Sequence, residues 1–136
     1  MSAYIEGEIE IKDIELFIES LIEVYGKEYI IVGNKMQLEG FMGDKRDTTA
    51  DIIIKRRAMG GSSNDGGYRC DNGIWKEVLS SFDRSCSRVM DKLNSAKMNY
   101  AEEILKPFIL THQVQGYQVQ RVQTTKGIQV KLTSMT

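Results

Sequence analysis

The alternation of hydrophobic and polar residues near the start of the chain changes to a helical spacing within a few residues. Isoleucine and glycine alternate with glutamate and lysine over residues 4–12, and this period of two predicts a half-buried strand. Over residues 14–25 the apolar residues recur at steps of three and one, which predicts a helix with one buried face. Asp13 occupies the N-cap position of that helix, so the chain begins with a strand followed by a helix.

The middle of the chain carries short apolar runs separated by turn-forming residues, a pattern typical of paired strands. Residues 29–32 and 36–41 predict two short strands around a Gly-Asn turn. Residues 50–57 contain three consecutive isoleucines, which predict a strand that is covered on both faces or central in its sheet. The Asn-Gly pair at 72–73 is a strong hairpin signal, so we expect a strand on either side of it.

The last third of the chain predicts one long helix and a final pair of strands. Ser85 or Ser87 can cap a helix whose apolar residues recur at steps of three and four. Pro107 lacks a backbone N–H, so we expect it to end or kink the helix, with a break near Lys106. Alternating residues over 117–125 and 128–133 then predict two strands joined by a short turn.

The order of these elements indicates an α+β fold. Short turns favour antiparallel pairing. We therefore expect a largely antiparallel sheet of about six to seven strands, with two main helices packed on one face. No linker or repeat divides the sequence, so residues 1–136 are predicted to form a single α+β domain.

Composition excludes several classes of protein. The 136 residues carry a formal net charge of −1, which argues against a nucleic-acid partner because such proteins are normally basic. No apolar run is long enough to span a membrane and no secretory signal is visible, so no membrane partner is expected. Cys70 and Cys86 are too few for a zinc site and are predicted to be free thiols. His112 is the only histidine, which limits the choice of nucleophile pairs.

Charge is distributed unevenly along the chain. Residues 1–30 hold eight acids and two lysines, whereas residues 106–136 hold four basic residues and no acid. One interpretation is that the glutamates of the first strand form a solvated face beside a basic strand from the C-terminus. The alternative is self-association, in which the acidic surface of one copy meets the basic surface of another.

One region is suited to a ligand, because basic residues flank a segment rich in glycine and serine. Residues 55–57 are Lys-Arg-Arg and precede the Gly-Gly-Ser-Ser-Asn-Asp-Gly-Gly sequence at 60–67. Glycine-rich backbone exposes N–H groups and arginine presents a bidentate fork, and these groups suit a phosphate or a carboxylate. The predicted ligand-binding residues are Lys45, Arg46, Arg56, Arg57, Ser62, Ser63, Asn64, Asp65, Asp83 and Arg84.

This region matches neither of the common nucleotide-binding motifs. The Gly-Lys-Ser/Thr of a Walker loop is missing, and no helix follows the glycines as in a dinucleotide-binding fold. The alternative is a mobile polar loop with solvated arginines beside it. Trp75, the only tryptophan, either packs in the core or an interface, or stacks on a ligand.

Four short motifs, taken in order, resemble those of a known family of small proteins. The motifs are residues 38–46, 50–57, 61–68 and 81–84. The family is found in bacteria, cyanobacteria and algal plastid genomes, is called hypothetical plastid open reading frame thirty-five, and has no established activity. The resemblance extends to the final hairpin and covers most of the chain.

The resemblance implies that residues 43–46, 56–57, 62–67 and 83–84 belong together, in agreement with the region chosen from its chemistry. It also implies a location in the cytoplasm, in the plastid stroma, or in the host cytoplasm of a virus. Gly66 replaces a bulky aliphatic residue of the family, and the chain ends in Ser-Met-Thr instead of Arg-Trp. These departures indicate a divergent member, such as one carried by a bacterial virus.

The sequence thus favours a non-enzymatic binding module for an anionic small molecule, such as a nucleotide, at the basic Gly/Ser-rich segment. The alternative is a homo-oligomeric adaptor or interaction subunit of a larger assembly, which the opposed charges of the two ends favour. An enzyme is the least favoured function, because the sequence offers one histidine, no metal cluster and no recognisable nucleophile triad. No metal or cofactor is expected.

Overall fold

The computed structural model describes the backbone of residues 2–114, 117–124 and 127–134, and the side chains of residues 2–107 and 110. The strands are β1 (Tyr4–Ile9), β2 (Ile30–Glu39), β3 (Lys45–Ile54), β4 (Gly66–Asp71), β5 (Ile74–Ser80), β6 (Tyr117–Thr124) and β7 (Gly127–Ser134). The helices are α1 (Ile14–Tyr25), α2 (Arg56–Met59), α3 (Ser81–Arg84) and α4 (Ser87–Val114), with a 3-10 turn at Lys27–Tyr29.

Five strands form one antiparallel sheet in the order β1-β5-β4-β3-β2, and β6 pairs with β7 in a separate hairpin beside α4. The predicted α+β class is confirmed, but six to seven strands overstates the count in the sheet. Four helices are found where two main ones were expected, since α2 and α3 add single turns of four residues. Helix α4 has 28 residues, about 42 Å at 1.5 Å per residue, and this length separates the final hairpin from β5.

Strand β2 is one continuous element, so the prediction of two short strands around a Gly-Asn turn is wrong. Its pairing with β3 shifts register between Val32 and Met36, and Lys35 between them has a φ of 46°. Lys35 donates from its backbone N–H and from Nζ to the carboxylate of Asp51 on β3, both at 2.9 Å. These bonds hold the extra residues as a bulge within the strand.

The hairpin predicted at the Asn-Gly pair at 72–73 is confirmed. Strands β4 and β5 pair up to Asp71 and Ile74, and Asn72 and Gly73 between them have φ values of 52° and 83°. Two consecutive positive φ values match the tight turn that suits the twist of paired strands. The geometry of this hairpin therefore follows from its local sequence.

Helix α4 continues through Pro107, so the expected break is wrong. The helix holds the proline in its interior and ends at Val114. A proline removes one backbone hydrogen bond and weakens a helix by about 3 kcal/mol. Val89, Leu93 and Ala96 anchor the N-terminal half of α4 in the core, and this packing supports the helix before the proline.

The two long helices cover one face of the sheet, as predicted. Phe17 and Leu21 of α1 and Leu93 of α4 meet Ile54 and Tyr68 of the sheet in the main hydrophobic cluster. Each of these side chains is at most 1% exposed. The ring of Phe17 lies edge-on to that of Tyr68, with 4.8 Å between centroids. This cluster fixes β5 and α4 relative to each other, and both elements contribute residues to the candidate site.

The opposite face of the sheet carries a smaller apolar cluster, around Leu38 and Val78, and a set of ion pairs. Arg69 of β4 pairs with Glu6 of β1 and with Asp71. Because β1 pairs with β5, its glutamates do not lie beside a C-terminal strand as one interpretation proposed. Glu6 of the acidic first strand pairs with Arg69 from the centre of the chain.

Candidate functional site

The glycine- and serine-rich segment is partly buried. It connects α2 to β4 and covers residues 60–65. Residues 60–62 are exposed, whereas residues 63–65 are only 1–3% exposed. The second half of the segment therefore belongs to the folded interior and is not a solvated loop.

Asp65 ties this segment to three other parts of the chain. Its carboxylate accepts hydrogen bonds from the backbone N–H groups of Glu39, at 2.9 Å, and Arg56, at 2.7 Å. Its own N–H donates to the carbonyl of Glu39, and its carbonyl accepts from the hydroxyl of Tyr4. Such bonds from backbone donors stabilise a buried carboxylate. Asp65 thus has the contacts of a buried carboxylate that stabilises the fold.

Asn64 and Asp83 form a second part of the same network. Asp83 Oδ2 accepts from the backbone N–H of Asn64 at 3.0 Å and from the hydroxyl of Ser80 at 2.7 Å. The side chain of Asn64 donates to Ser80 and accepts from the backbone N–H of Phe41. Asp83 Oδ1 alone in this set is buried without a partner among the described residues. We name the set Asn64, Asp65, Ser80 and Asp83 the loop network.

The basic residues next to the loop network are mostly paired. Arg56 donates from Nη1 to the carbonyl of Phe41 at 3.0 Å. Lys45 and Lys55 lie 3.0 Å and 3.9 Å from the carboxylate of Glu39. The hydrogen bond from Lys45, followed by the charge of Lys55, lowers the pKa of Glu39 below its ordinary value. This carboxylate already neutralises part of the positive charge that an anion would need.

Arg46 and Arg57 differ in their surroundings. Arg46 pairs with Asp44 at 2.7 Å, donates to the carbonyl of Ser2 and lies over the ring of Tyr4. Arg57 is exposed and makes no hydrogen bond or ion pair with the described residues. The two arginines of the 55–57 run therefore do not share partners, because only Arg56 contacts the loop network.

The structure divides the ten predicted site residues into groups. Hydrogen bonds join Arg56 to Asp65 and Asn64 to Asp83, and Ser63 is buried next to them. Ion pairs nearby hold Lys45 and Arg46. The remaining residues are Arg57 and Ser62, which are exposed, and Arg84, which lies against β1. The carboxylates of Asp65 and Asp83 already accept hydrogen bonds from the backbone N–H groups that a bound phosphate would need. The loop network is thus better suited to hold the fold than to hold a ligand.

A groove of about 980 Å³ lies elsewhere, between β1, the helix-facing side of β5 and α4. Ligand sites in proteins commonly have volumes of about 300–1,000 Å³. It is lined by Gly7, Glu8, Ile9, Glu10, Ile11, Lys12, Phe17, Gly73, Ile74, Trp75, Glu77, Arg84, Met90, Asn94, Lys97, Tyr100, Ala101, Ile104 and Leu105. We call this feature the β1–α4 groove.

A buried carboxylate lies in the wall of the β1–α4 groove. Glu77 is 6% exposed, and its Oε2 accepts a hydrogen bond from the hydroxyl of Tyr68 at 2.8 Å and forms an ion pair with Lys97 Nζ at 2.7 Å. Burial of Tyr68, followed by the nearby charge of Glu77, raises the pKa of that hydroxyl, which therefore remains a donor. Oε1 of Glu77 has no hydrogen-bond partner among the described residues.

The guanidinium of Arg84 lies at the side of the groove, close to Glu77 in the pairing of β1 and β5. Gly7 is the register partner of Glu77, and Nη2 of Arg84 lies 3.5 Å from the position that a Cβ on Gly7 would take. Arg84 is exposed and makes no ion pair with the described residues. The glycine leaves open space between this cation and the strand.

Aromatic side chains complete the lining. Trp75 lies two residues before Glu77 on β5 and is half-buried. Tyr100 of α4 accepts hydrogen bonds at its hydroxyl from the backbone N–H groups of Lys12, at 2.8 Å, and Asp13, at 3.1 Å. These bonds fix the ring and hold the chain after β1 against α4. The sequence left open whether Trp75 packs or stacks, and its position serves both roles.

Sequence analysis did not identify Glu77, Lys97 or Asn94 as site residues. One signal was present, because Glu77 occupies an inward position between Trp75 and Leu79 in the alternation of β5. An acidic residue at an apolar position in a strand indicates a buried partner or a ligand. The partner, Lys97, lies 20 positions further along the sequence and becomes apparent only in the fold.

Within the described part of the chain, no three His, Cys, Asp or Glu side chains cluster in a way that could hold a metal ion. Cys70 and Cys86 are free thiols, and the side chain of His112 lies outside the described residues. None of the described helices is both long and apolar enough to cross a membrane.

Comparison with known proteins gives no relative from which a site could be transferred. No family model, no curated protein and no solved structure matches this chain. The resemblance to the hypothetical plastid open reading frame thirty-five family remains a prediction from four short motifs.

Proposed function

We propose that the protein is a non-enzymatic binding module for an anionic small molecule, and that the molecule binds in the β1–α4 groove. The observation that carries the proposal is Arg84, a cation that makes no ion pair with the described residues and lies over Gly7 at the side of the groove. Arginine binds carboxylate and phosphate through paired N–H donors. The sequence placed the ligand at the Gly/Ser-rich segment, and the proposal moves it to the groove.

The groove supports binding because its polar groups are not all used within the protein. In the loop network the backbone donors already serve Asp65 and Asp83. In the groove, Arg84 and one oxygen of Glu77 lack partners among the described residues. A ligand gains affinity from groups that water would otherwise satisfy, and it gains little from groups that the protein has already paired. The apolar surface beside Trp75 adds contact area for a planar ligand.

Isothermal titration calorimetry with AMP tests this proposal, with AMP as a probe that combines a phosphate with a planar ring. We expect wild-type protein to bind AMP, and Arg84→Ala to bind it at least tenfold more weakly, equivalent to about 1.4 kcal/mol. Arg88→Ala is the matched control, because Arg88 is exposed, lies one helical turn further along the chain and does not line the groove.

Arg57→Ala separates the groove from the Gly/Ser-rich segment. If AMP binds in the groove, Arg57→Ala retains wild-type affinity. Absence of binding at millimolar AMP contradicts the proposal, and so does a loss of affinity in Arg57→Ala with Arg84→Ala unaffected.

A second candidate is a self-associating subunit, favoured by an apolar turn between β2 and β3. Phe41 is 48% exposed and Met42 is 78% exposed. The backbone of Phe41 is fixed by Asn64 on its N–H and by Arg56 on its carbonyl, so the loop network holds this turn in one conformation. Sedimentation velocity at tens of micromolar tests the candidate. A dimer that becomes monomeric in Met42→Glu supports it, and a wild-type monomer contradicts it.

A further inference from the structure

We infer that the β1–α4 groove selects ligands that carry a ring amino group, and that its ligand class is the amino-bearing nucleotides. This inference rests on the proposed function, because it assigns the chemistry of the same site. It follows from the pair Glu77 and Lys97, of which the anion-binding argument uses only the unpaired oxygen of Glu77.

One oxygen of Glu77 has no hydrogen-bond donor among the residues that the structure describes. A carboxylate offers about four lone-pair sites, and at 6% exposure it has little access to water. Tyr68 and Lys97 both bond to Oε2. Oε1 is not among the fully buried atoms that lack a partner, so it keeps some solvent exposure, and Glu77 lines the groove. A ligand N–H donor at this oxygen would replace the water that the groove admits.

Lys97 places a donor next to that acceptor. Its ammonium group has three N–H donors, forms an ion pair with Glu77 at 2.7 Å, and belongs to a side chain that remains 29% exposed. The groove thus presents an acceptor and a donor side by side. An amino group adjacent to a ring nitrogen, as in adenine or cytosine, offers the complementary donor and acceptor.

The remaining groups are arranged around this pair in a way that suits a nucleotide. Trp75 lies two residues from Glu77 along β5, about 7 Å away at the rise of a strand, where a ring can stack. Arg84 lies over Gly7 on the neighbouring strand, opposite Glu77. A stacking surface, an edge-reading pair and a cation are therefore provided within one groove.

Two ligands that differ by one amino group test the inference on the wild-type protein. AMP carries the 6-amino group, and purine riboside 5′-monophosphate lacks it but keeps the ring, the ribose and the phosphate. We expect the dissociation constant of the analogue to be at least tenfold higher, because it would turn a ring C–H towards the buried carboxylate. This comparison requires no substitution and therefore no assumption that a Glu77 variant folds.

The outcomes separate the inference from the proposed function. Equal affinity for the two ligands, or tighter binding of the analogue, overturns the amino-group inference and leaves anion binding in place. Failure of both ligands to bind at millimolar concentration overturns the proposed function itself. Tighter binding of AMP that is abolished in Arg84→Ala supports both.

Discussion

The loop network and the β1–α4 groove each contain a buried carboxylate but differ in how many hydrogen bonds their carboxylates accept from the protein. In the loop network, the carboxylates of Asp65 and Asp83 receive two or more hydrogen bonds each, several of them from backbone N–H groups. In the groove, one oxygen of Glu77 and the guanidinium of Arg84 have no partner in the described part of the chain.

This difference assigns stability to one region and binding to the other. A buried polar group is costly to leave without a partner, so a network whose buried carboxylates accept several hydrogen bonds favours one conformation, although Oδ1 of Asp83 lacks a partner among the described residues. A groove with open donors and acceptors contributes less to the fold and can exchange water for a ligand. Sequence composition pointed to the Gly/Ser-rich segment because composition does not show which polar groups are already paired.

The largest expected effect is the loss of stability in Asp65→Ala. The substitution leaves the N–H groups of Glu39 and Arg56 without their acceptor in a buried site, which we expect to lower the free energy of unfolding by about 3–5 kcal/mol. Urea denaturation followed by circular dichroism measures this. Asp47→Ala is the control, since Asp47 is an exposed acid on β3, two residues after Lys45, the register partner of Glu39. A loss below about 1 kcal/mol would show that the network is not structural.

Two glycines provide the next test of the comparison. A Cβ on Gly67 would clash with the carbonyl oxygen of Ile52 and lie 2.9 Å from the Cβ of Ala50. Gly67→Ala is therefore expected to destabilise the protein by about 1–3 kcal/mol. A Cβ on Gly7 meets only Arg84, at 3.5 Å, so Gly7→Ala should keep its stability within about 0.5 kcal/mol. Thermal melting of both variants measures this difference in stability. Equal losses of stability in Gly67→Ala and Gly7→Ala would contradict the prediction.

A smaller effect is expected from pH near the loop network. The hydrogen bond from Lys45 and the charge of Lys55 lower the pKa of Glu39 in the folded protein. The ionised Glu39 carboxylate therefore stabilises the fold above the pKa that glutamate has in the unfolded chain, about 4.3. This stabilisation is lost as the pH falls through the lower pKa of Glu39 in the folded protein. We expect Glu39→Gln to flatten the decline of stability below pH ~4. Urea denaturation from pH 6 to pH 2 measures this slope, and an unchanged slope contradicts the assignment.

The smallest expected effect on stability is that of Arg84→Ala. Arg84 is exposed and unpaired among the described residues, so its removal should change the free energy of unfolding by less than about 0.5 kcal/mol. The same variant should lose AMP affinity, which separates binding from folding. A destabilisation above about 1.5 kcal/mol would instead make Arg84 a structural residue.

Much of the fold could be predicted from local sequence. The first strand and helix, the buried isoleucines of β3 and the Asn-Gly hairpin follow from periodicity and turn chemistry. The bulge in β2 was not predictable, because it depends on Asp51 receiving two bonds from Lys35 across the sheet. Helix α4 continues through Pro107, and local propensity cannot weigh the packing of its first half against that proline.

The site was less predictable than the fold. Of the proposed groove residues, the sequence identified Arg84 as a ligand-binding residue and raised Trp75 as a stacking alternative. Glu77 and Lys97 come together only when α4 packs over β5. Conversely, Asn64 and Asp65 matched the composition of an anion-binding loop, but tertiary hydrogen bonds use their polar groups. Pairing between distant residues decides both cases, and spacing along the chain does not reveal it.

Fluorescence of Trp75 during a titration with AMP tests the central claim most directly, because Trp75 is the only tryptophan and lines the groove. We predict a saturable change in emission in wild-type protein and in Arg57→Ala, with the midpoint at least tenfold higher in Arg84→Ala. An emission spectrum that does not change up to millimolar AMP, or a response lost in Arg57→Ala but kept in Arg84→Ala, would contradict the account.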